Sequence, residues 1–246
     1  MFRYQILIEY VGTGFIGWQS QLKGKSVQKT IENSLKKILK EKISVVGQER
    51  LDAGVHAISQ SAHFDTKNKI LDINRFLKRL NFLVNKNFIS ILSIKKRNEK
   101  FHSRYSAKAR IYKYIILNRE SSPTINKNRV WHIKKKINLV NIKKGAKFLI
   151  GKRDFSTFRA SACSAKSPIR TLEKVNILKK KNEIFIEFKS RSFLQTQVRS
   201  MVGCLKYLGE GKWNFKKFKN VTLSKKRTLC APPAPPHGLF LKKVIY

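Results

Sequence analysis

Along residues 4–94 apolar side chains recur at every second position, then at helical spacing, then at every second position again, and the cycle repeats once. Tyr4, Ile6, Ile8 and Tyr10 alternate with Gln5, Leu7 and Glu9, which is a strand. Ser26 stands where a cap belongs, before a helix with Val27, Ile31, Leu35, Ile38 and Leu39 on its apolar face. Strand-like segments follow at 43–48 and 58–64. Asp72 then opens a helix with Ile73, Phe76, Leu77, Leu80, Leu83 and Val84 aligned, and 88–94 is a further strand. The order is β-α-β-β-α-β, the split arrangement of ferredoxin-like and RNA-recognition folds.

The second half repeats the plan loosely. Arg110, Tyr112 and Tyr114 share one face of a strand over 110–117, beyond which 119–136 reads as an irregular basic connection around Pro123. Asn138 caps a helix with Leu139, Ile142, Ala146, Leu149 and Ile150 inward; strands near 173–179 and 183–189 precede a helix over 193–208 that ends at Gly209. The expected fold class is α+β: two ferredoxin-like or RNA-recognition-like lobes, residues 1–104 and 105–246, with mainly antiparallel sheets meeting around a central basic cleft.

Charge narrows the partner. The net charge is +40, from 54 Lys plus Arg against 14 Asp plus Glu, and so positive a surface seeks a polyanion, nucleic acid first. An AT-rich coding sequence also inflates Lys, Ile and Asn together, so the charge supports RNA binding without specifying it. Residues 105–246 hold 34 basic against 6 acidic side chains, and 1–104 hold 20 against 8, so the second lobe is expected to carry more of the phosphate-facing surface or simply more solvated lysine.

Three cysteines, Cys163, Cys204 and Cys230, lack any Cys-x-x-Cys spacing, and His56, His63, His102, His132 and His237 are scattered, so no disulfide framework and no metal site is indicated. With no leader-like start and no long apolar run, the chain is expected to be soluble and cytoplasmic. Gly12, Gly14 and Gly17 match a dinucleotide fingerprint, but Trp18 to Gly24 does not open the helix that motif requires, which argues against a nicotinamide or flavin site.

Among so few acids Asp52 stands out, in Arg50-Leu51-Asp52-Ala53-Gly54-Val55-His56-Ala57. Spacing alone favours a turn in which the aspartate bonds its own backbone and the glycine takes positive φ. The stretch resembles the Gly-Arg-Thr-Asp-Ala-Gly-Val-His-Ala signature of the bacterial tRNA pseudouridine synthase A family, with Glu49 in place of the glycine and Leu51 in place of the threonine. Five further blocks resemble the family in the same order. They are Tyr10 to Gln19; Phe101 to Ala107 with Arg110, Tyr112 and Tyr114; Asp154 to Phe158 with Cys163 and Arg170; Phe193 to Gly203; and the proline-rich stretch Ala231 to Leu239. Arg153 stands where the family has a histidine.

The resemblance implies isomerisation of uridine to pseudouridine at positions 38–40 in the anticodon stem-loop of transfer RNA, by a homodimer, with no cofactor or metal. Asp52 is then the catalytic nucleophile, attacking either the ribose or the pyrimidine, in the first lobe; the second lobe completes the site. Arg199 is the cation expected to offset its desolvation. Tyr112 is the residue expected to stack on the extruded uracil, with a proton relay open. Arg50 is expected to fill the vacated space or grip the phosphate, with a structural ion pair to Asp52 as the alternative for either arginine. Glu49 is expected to pair with a cation outside the pocket, and Leu51 to replace a hydrogen bond by packing. The competing reading is a non-catalytic RNA-binding protein of the same fold with a decayed site.

If the charge serves RNA, the logarithm of the affinity for tRNA falls by about 0.7–0.9 per logarithmic unit of salt for each phosphate neutralised. A flat dependence between low and physiological salt, measured by filter binding, would mean that the lysines are merely solvated.

Overall fold

The computed structural model describes all residues, 1–246, in two compact units: Met1–Lys108 with Phe240–Tyr246, and Ala109–Leu239. The first contains β1 (Phe2–Tyr10), α1 (Val27–Leu39), β2 (Val45–Gly47), β3 (His56–Thr66), α2 (Ile73–Val84) and β4 (Ile89–Arg97). The order is the split β-α-β-β-α-β plan that the periodicity predicts. β1 lies between β3 and β4, antiparallel to both, from Phe2↔Thr66 to Tyr10↔Ala57 on one side and from Arg3↔Arg97 to Tyr10↔Ile89 on the other.

The alternating residues of β1 are buried: Tyr4, Ile6, Ile8 and Tyr10 are all at most 3% exposed. α1 begins where Ser26 Oγ accepts the Lys29 N–H, and Val27, Ile31 and Leu35 are wholly buried, while Ile38 and Leu39 in its last turn are half-buried. α2 starts the same way, with Asp72 accepting the Arg75 N–H at 2.8 Å, and buries Phe76, Leu80 and Val84. Both caps satisfy N–H groups that a helix start leaves without partners.

The far edge of β3 is shared by two strands. β2 pairs antiparallel with Ala62 to Phe64, and the C-terminal strand of the chain, β10 (Leu239–Ile245), pairs parallel at Phe240↔His56 and Leu241↔Ala57. Here the structure departs from the expected boundary. The last seven residues group with the first unit because their backbone continues its sheet, a pairing between positions almost two hundred residues apart that no local pattern encodes.

The second unit runs β5 (Ala109–Asn118), β6 (Trp131–Ile133), α3 (Leu139–Leu149), β7 (Gly151–Asp154), β8 (Ile169–Lys180), β9 (Glu183–Ser190), α4 (Gln197–Gly209) and α5 (Phe215–Leu223), after which β10 closes the chain. Its sheet has the order β5-β9-β8-β7, antiparallel throughout, with β6 parallel to β5 at the other edge. Arg110, Tyr112 and Tyr114 are buried on one face of β5, as the period of two requires.

Three departures have local causes. α4 begins at Gln197 rather than 193, because Thr196 takes a left-handed φ of 65° and the Gln197 side chain accepts the Leu194 N–H. β6 lies inside the segment read as irregular. α5 was not expected at all: five of its nine residues, Lys216, Lys217, Lys219, Asn220 and Thr222, are polar, and only Phe218, Val221 and Thr222 are buried. Asn214 caps it by accepting the Lys217 N–H at 2.8 Å.

Leu241 is fully buried in β10. Leu241→Ala should cost about 2–5 kcal/mol, as cavity-forming substitutions at buried leucines do, read as a lower denaturation midpoint. An unchanged midpoint would show that the last strand contributes little to the first unit.

Candidate active site

In the first unit the aspartate turn is held by its backbone from several directions. The Asp52 carbonyl accepts the Val55 N–H at 3.2 Å, closing a four-residue turn whose third residue, Gly54, has φ +77°. An L-residue pays strain in that conformation, so glycine belongs there. One residue earlier, the Leu51 carbonyl accepts the Trp18 N–H at 3.1 Å, and the Leu51 side chain is buried.

The glycine-rich loop 12–18 reaches the turn because two glycines let it approach. A Cβ on Gly12 would lie 2.1 Å from the Val55 oxygen, and one on Gly17, whose φ is +116°, would lie 2.6 Å from the Leu51 oxygen. These are distances no side chain tolerates. Those glycines serve backbone contact with the turn, and the first helix does not open until Val27, so the fingerprint spacing has a structural cause. Trp18 is buried against Gly47, where a Cβ would be 2.3 Å from its Nε1, and its ring lies 6.3 Å from that of Tyr10.

His56, just after the turn, ties it to the glycine loop. Its Nδ1 accepts the Gly12 N–H at 3.0 Å, which puts a lone pair on that nitrogen, and its ring stacks on Phe240 at 4.7 Å between centroids. The stretch before the aspartate is held as well: Gln48 N–H donates to Ser61 O at 2.8 Å, and Gln60 Nε2 donates to the Glu49 carbonyl at 3.0 Å. Arg50 is exposed, Glu49 and Asp52 are half-buried, and all three lie on this one pinned segment. Sequence reasoning missed Gln60 and the seat of Trp18 on Gly47; neither has a local signal, since each contact joins distant strands and loops.

The remaining two residues belong to the second unit. Tyr112 is 4% exposed on β5, opposite Phe188 of β9, with its ring edge-on to Phe193 at 5.2 Å. Arg199 is half-buried in the first turn of α4 and is hooked twice to the proline-rich segment. Its Nε donates to Ala234 O at 2.8 Å, and its own carbonyl accepts the Ala234 N–H at 3.0 Å. Gly203 lets that segment lie against α4, since a Cβ there would be 2.1 Å from the Pro232 oxygen.

Beneath Arg199 the Tyr114 hydroxyl donates to Pro235 O at 2.8 Å, and Gly238 leaves room for the tyrosine ring. Burial raises the Tyr114 phenol well above its ordinary range, with the Arg199 charge opposing in part, so Tyr114 remains a neutral donor. Phe193, which lies edge-on to Tyr112, comes just before the turn into α4, the helix that carries Arg199. Beside them, Asp154 accepts the Ser156 N–H at 2.8 Å and Phe155 and Phe158 are wholly buried, so that block is core and turn.

A half-buried carboxylate on a turn held by backbone bonds is suited to nucleophilic or general-base work, and a guanidinium anchored through Nε is a fixed positive charge of the kind that meets an anion. No group of three or more His, Cys, Asp or Glu side chains is arranged to hold a metal ion.

A family model described as tRNA pseudouridine synthase matches residues 6–106 and 146–246. A tRNA pseudouridine synthase A of Pelagibacter ubique is 62% identical over 246 residues, covering all of both chains. The enzymes of that name from Neorickettsia sennetsu and Anaplasma marginale are 41% and 38% identical, over 99% of this chain and the whole of each relative. The matched ranges contain the aspartate turn, the glycine loop that pins it and Arg199; Tyr112 falls in the interval between them.

Proposed function

The chain belongs to the tRNA pseudouridine synthase family, and from that premise we propose that it isomerises uridine to pseudouridine at positions 38–40 in the anticodon stem-loop of transfer RNA. The observation that carries this reading is the pinned turn: Asp52 is a half-buried carboxylate whose backbone neighbours are tied to the glycine loop at Leu51 and Val55.

The reaction breaks the bond between uracil N1 and ribose C1′, rotates the base and joins C1′ to C5. A proton leaves C5 and one is gained at N1, so nothing is added overall and no redox or group-donating partner is called for. A nucleophile must hold the open ribose or the pyrimidine during rotation, and Asp52 takes that role. An ionised carboxylate removed from water needs a compensating cation, which is the part given to Arg199; its hook to Ala234 fixes the guanidinium before substrate arrives.

Tyr112 presents its ring to the flipped uracil, and its position on a central strand against Phe193 keeps that ring from turning away. The exposed Arg50, two residues before Asp52, occupies the space left by the flipped nucleotide or grips its phosphate, which offsets the few kcal/mol of unstacking. The surrounding positive charge serves the tRNA backbone.

The active form is read as a homodimer in the cytosol. The free state of Cys163, Cys204 and Cys230 supports a reducing compartment, and no helix is long and apolar enough to cross a membrane.

Asp52→Asn preserves size and barely alters a surface of net charge +40, so it should abolish pseudouridine formation on a tRNA transcript while leaving the Kd for that tRNA within a few-fold. Measurable turnover by the Asn variant would exclude Asp52 as the nucleophile, and lost affinity would make it a binding residue.

A further inference from the structure

The cysteines take no part in the proposed reaction, yet two of them meet. Cys204 is buried in α4, Cys230 is half-buried just before the proline-rich segment, and their Sγ atoms are 3.5 Å apart. Arg227 stands beside the pair: its Nη1 donates to Ser200 Oγ at 3.0 Å, and both side chains favour the charged form of Cys230.

The two thiols differ in character. The hydrogen bond from Cys204, helped by the Arg227 charge and opposed by burial, holds Cys230 below the ordinary thiol range. The same bond, together with burial, pushes Cys204 well above it. Cys230 is also the more accessible of the two, half-buried where Cys204 is buried, so it is the sulfur placed to meet an oxidant first.

We propose that Cys204 and Cys230 form a peroxide-responsive dithiol site, closing to a disulfide that ties α4 to the segment holding Arg199. The oxidant is a hydroperoxide, hydrogen peroxide being the simplest. The Cys230 thiolate attacks one peroxide oxygen, the O–O bond breaks, and Cys230 becomes a sulfenic acid as hydroxide leaves. Cys204 then attacks the Cys230 sulfur; the S–O bond breaks, and the Cys204 proton leaves with the departing hydroxyl as water. Two thiols lose two electrons, and one peroxide is reduced to two waters.

The geometry suits this closure. A disulfide needs sulfurs about 2.05 Å apart, so the pair must approach by about 1.5 Å. Next to Cys204, Gly203 already lies against Pro232, which keeps the two backbones close. The bond spans 26 residues, a loop long enough to raise Tm by about 5–10 °C. Because Ala234 lies four residues beyond Cys230, accepts from Arg199 Nε and donates to the Arg199 carbonyl, the crosslink fastens the support of that arginine.

The test treats the purified full-length protein with equimolar hydrogen peroxide, blocks remaining thiols, and digests without reductant for mass spectrometry. The expected product is a peptide pair linked through Cys204 and Cys230, lighter by two hydrogens, with the raised Tm reversed by dithiothreitol. Cys204→Ser should abolish the link and let Cys230 proceed to sulfinic acid, and Cys230→Ser should abolish the link and slow peroxide consumption several-fold. Oxidation of wild-type protein to sulfinic acid without a link, preferential oxidation at Cys163, or unchanged peroxide consumption by Cys230→Ser would each overturn the proposal.

Discussion

The hydrogen bond from the Trp18 N–H to the Leu51 carbonyl is the contact on which the candidate site rests. It forms only because the loop before Trp18 can approach within a distance that any Cβ would forbid, at Gly12 against Val55 and at Gly17 against Leu51. The loop in turn is seated by Trp18 on Gly47 and by the Gly12 N–H on His56. Removing freedom from the residues either side of Asp52 before substrate binds is how a short, polar side chain acquires a fixed direction of attack. The ordinary turn that spacing suggests is therefore present, and it is also what holds the functional group.

In the second unit the same problem is solved with a long side chain. An arginine has considerable rotamer entropy to lose, and the Nε bond to Ala234 removes much of it in advance. The proline-rich segment supplies that carbonyl and another at Pro235 for Tyr114, so a stretch without regular structure acts as a support. Its stiffness comes from prolines at 232, 233, 235 and 236, each with a restricted φ.

How much of this was legible in the sequence follows from the range of each interaction. The strands and helices of the first unit carry clean periods, and their caps at Ser26 and Asp72 stand next to the helices they start, so both were found close to their true ends. Asp52, Tyr112, Arg50 and Arg199 were recognised through resemblance; composition and spacing alone left Asp52 in a plain turn. The lysines of α5 mask a narrow buried stripe, Phe218, Val221 and Thr222, and the place of β10 depends on its pairing with β3 near residue 56, far from it in the chain. The roles of Gln60 and Gly47 depend on contacts made only after β2, β3 and the glycine loop are assembled, and no window of residues contains them.

If the pinned backbone is what makes Asp52 effective, moving the Leu51 carbonyl should slow chemistry and spare binding. Gly17→Ala does this with one methyl group, which would stand 2.6 Å from that oxygen at a φ of +116°. Single-turnover pseudouridine formation on saturating tRNA should slow at least about tenfold, a displacement of roughly an ångström being enough, with Kd and overall fold content unchanged. A single-turnover rate equal to wild type would contradict the account, because Asp52 would then work without the contact said to position it.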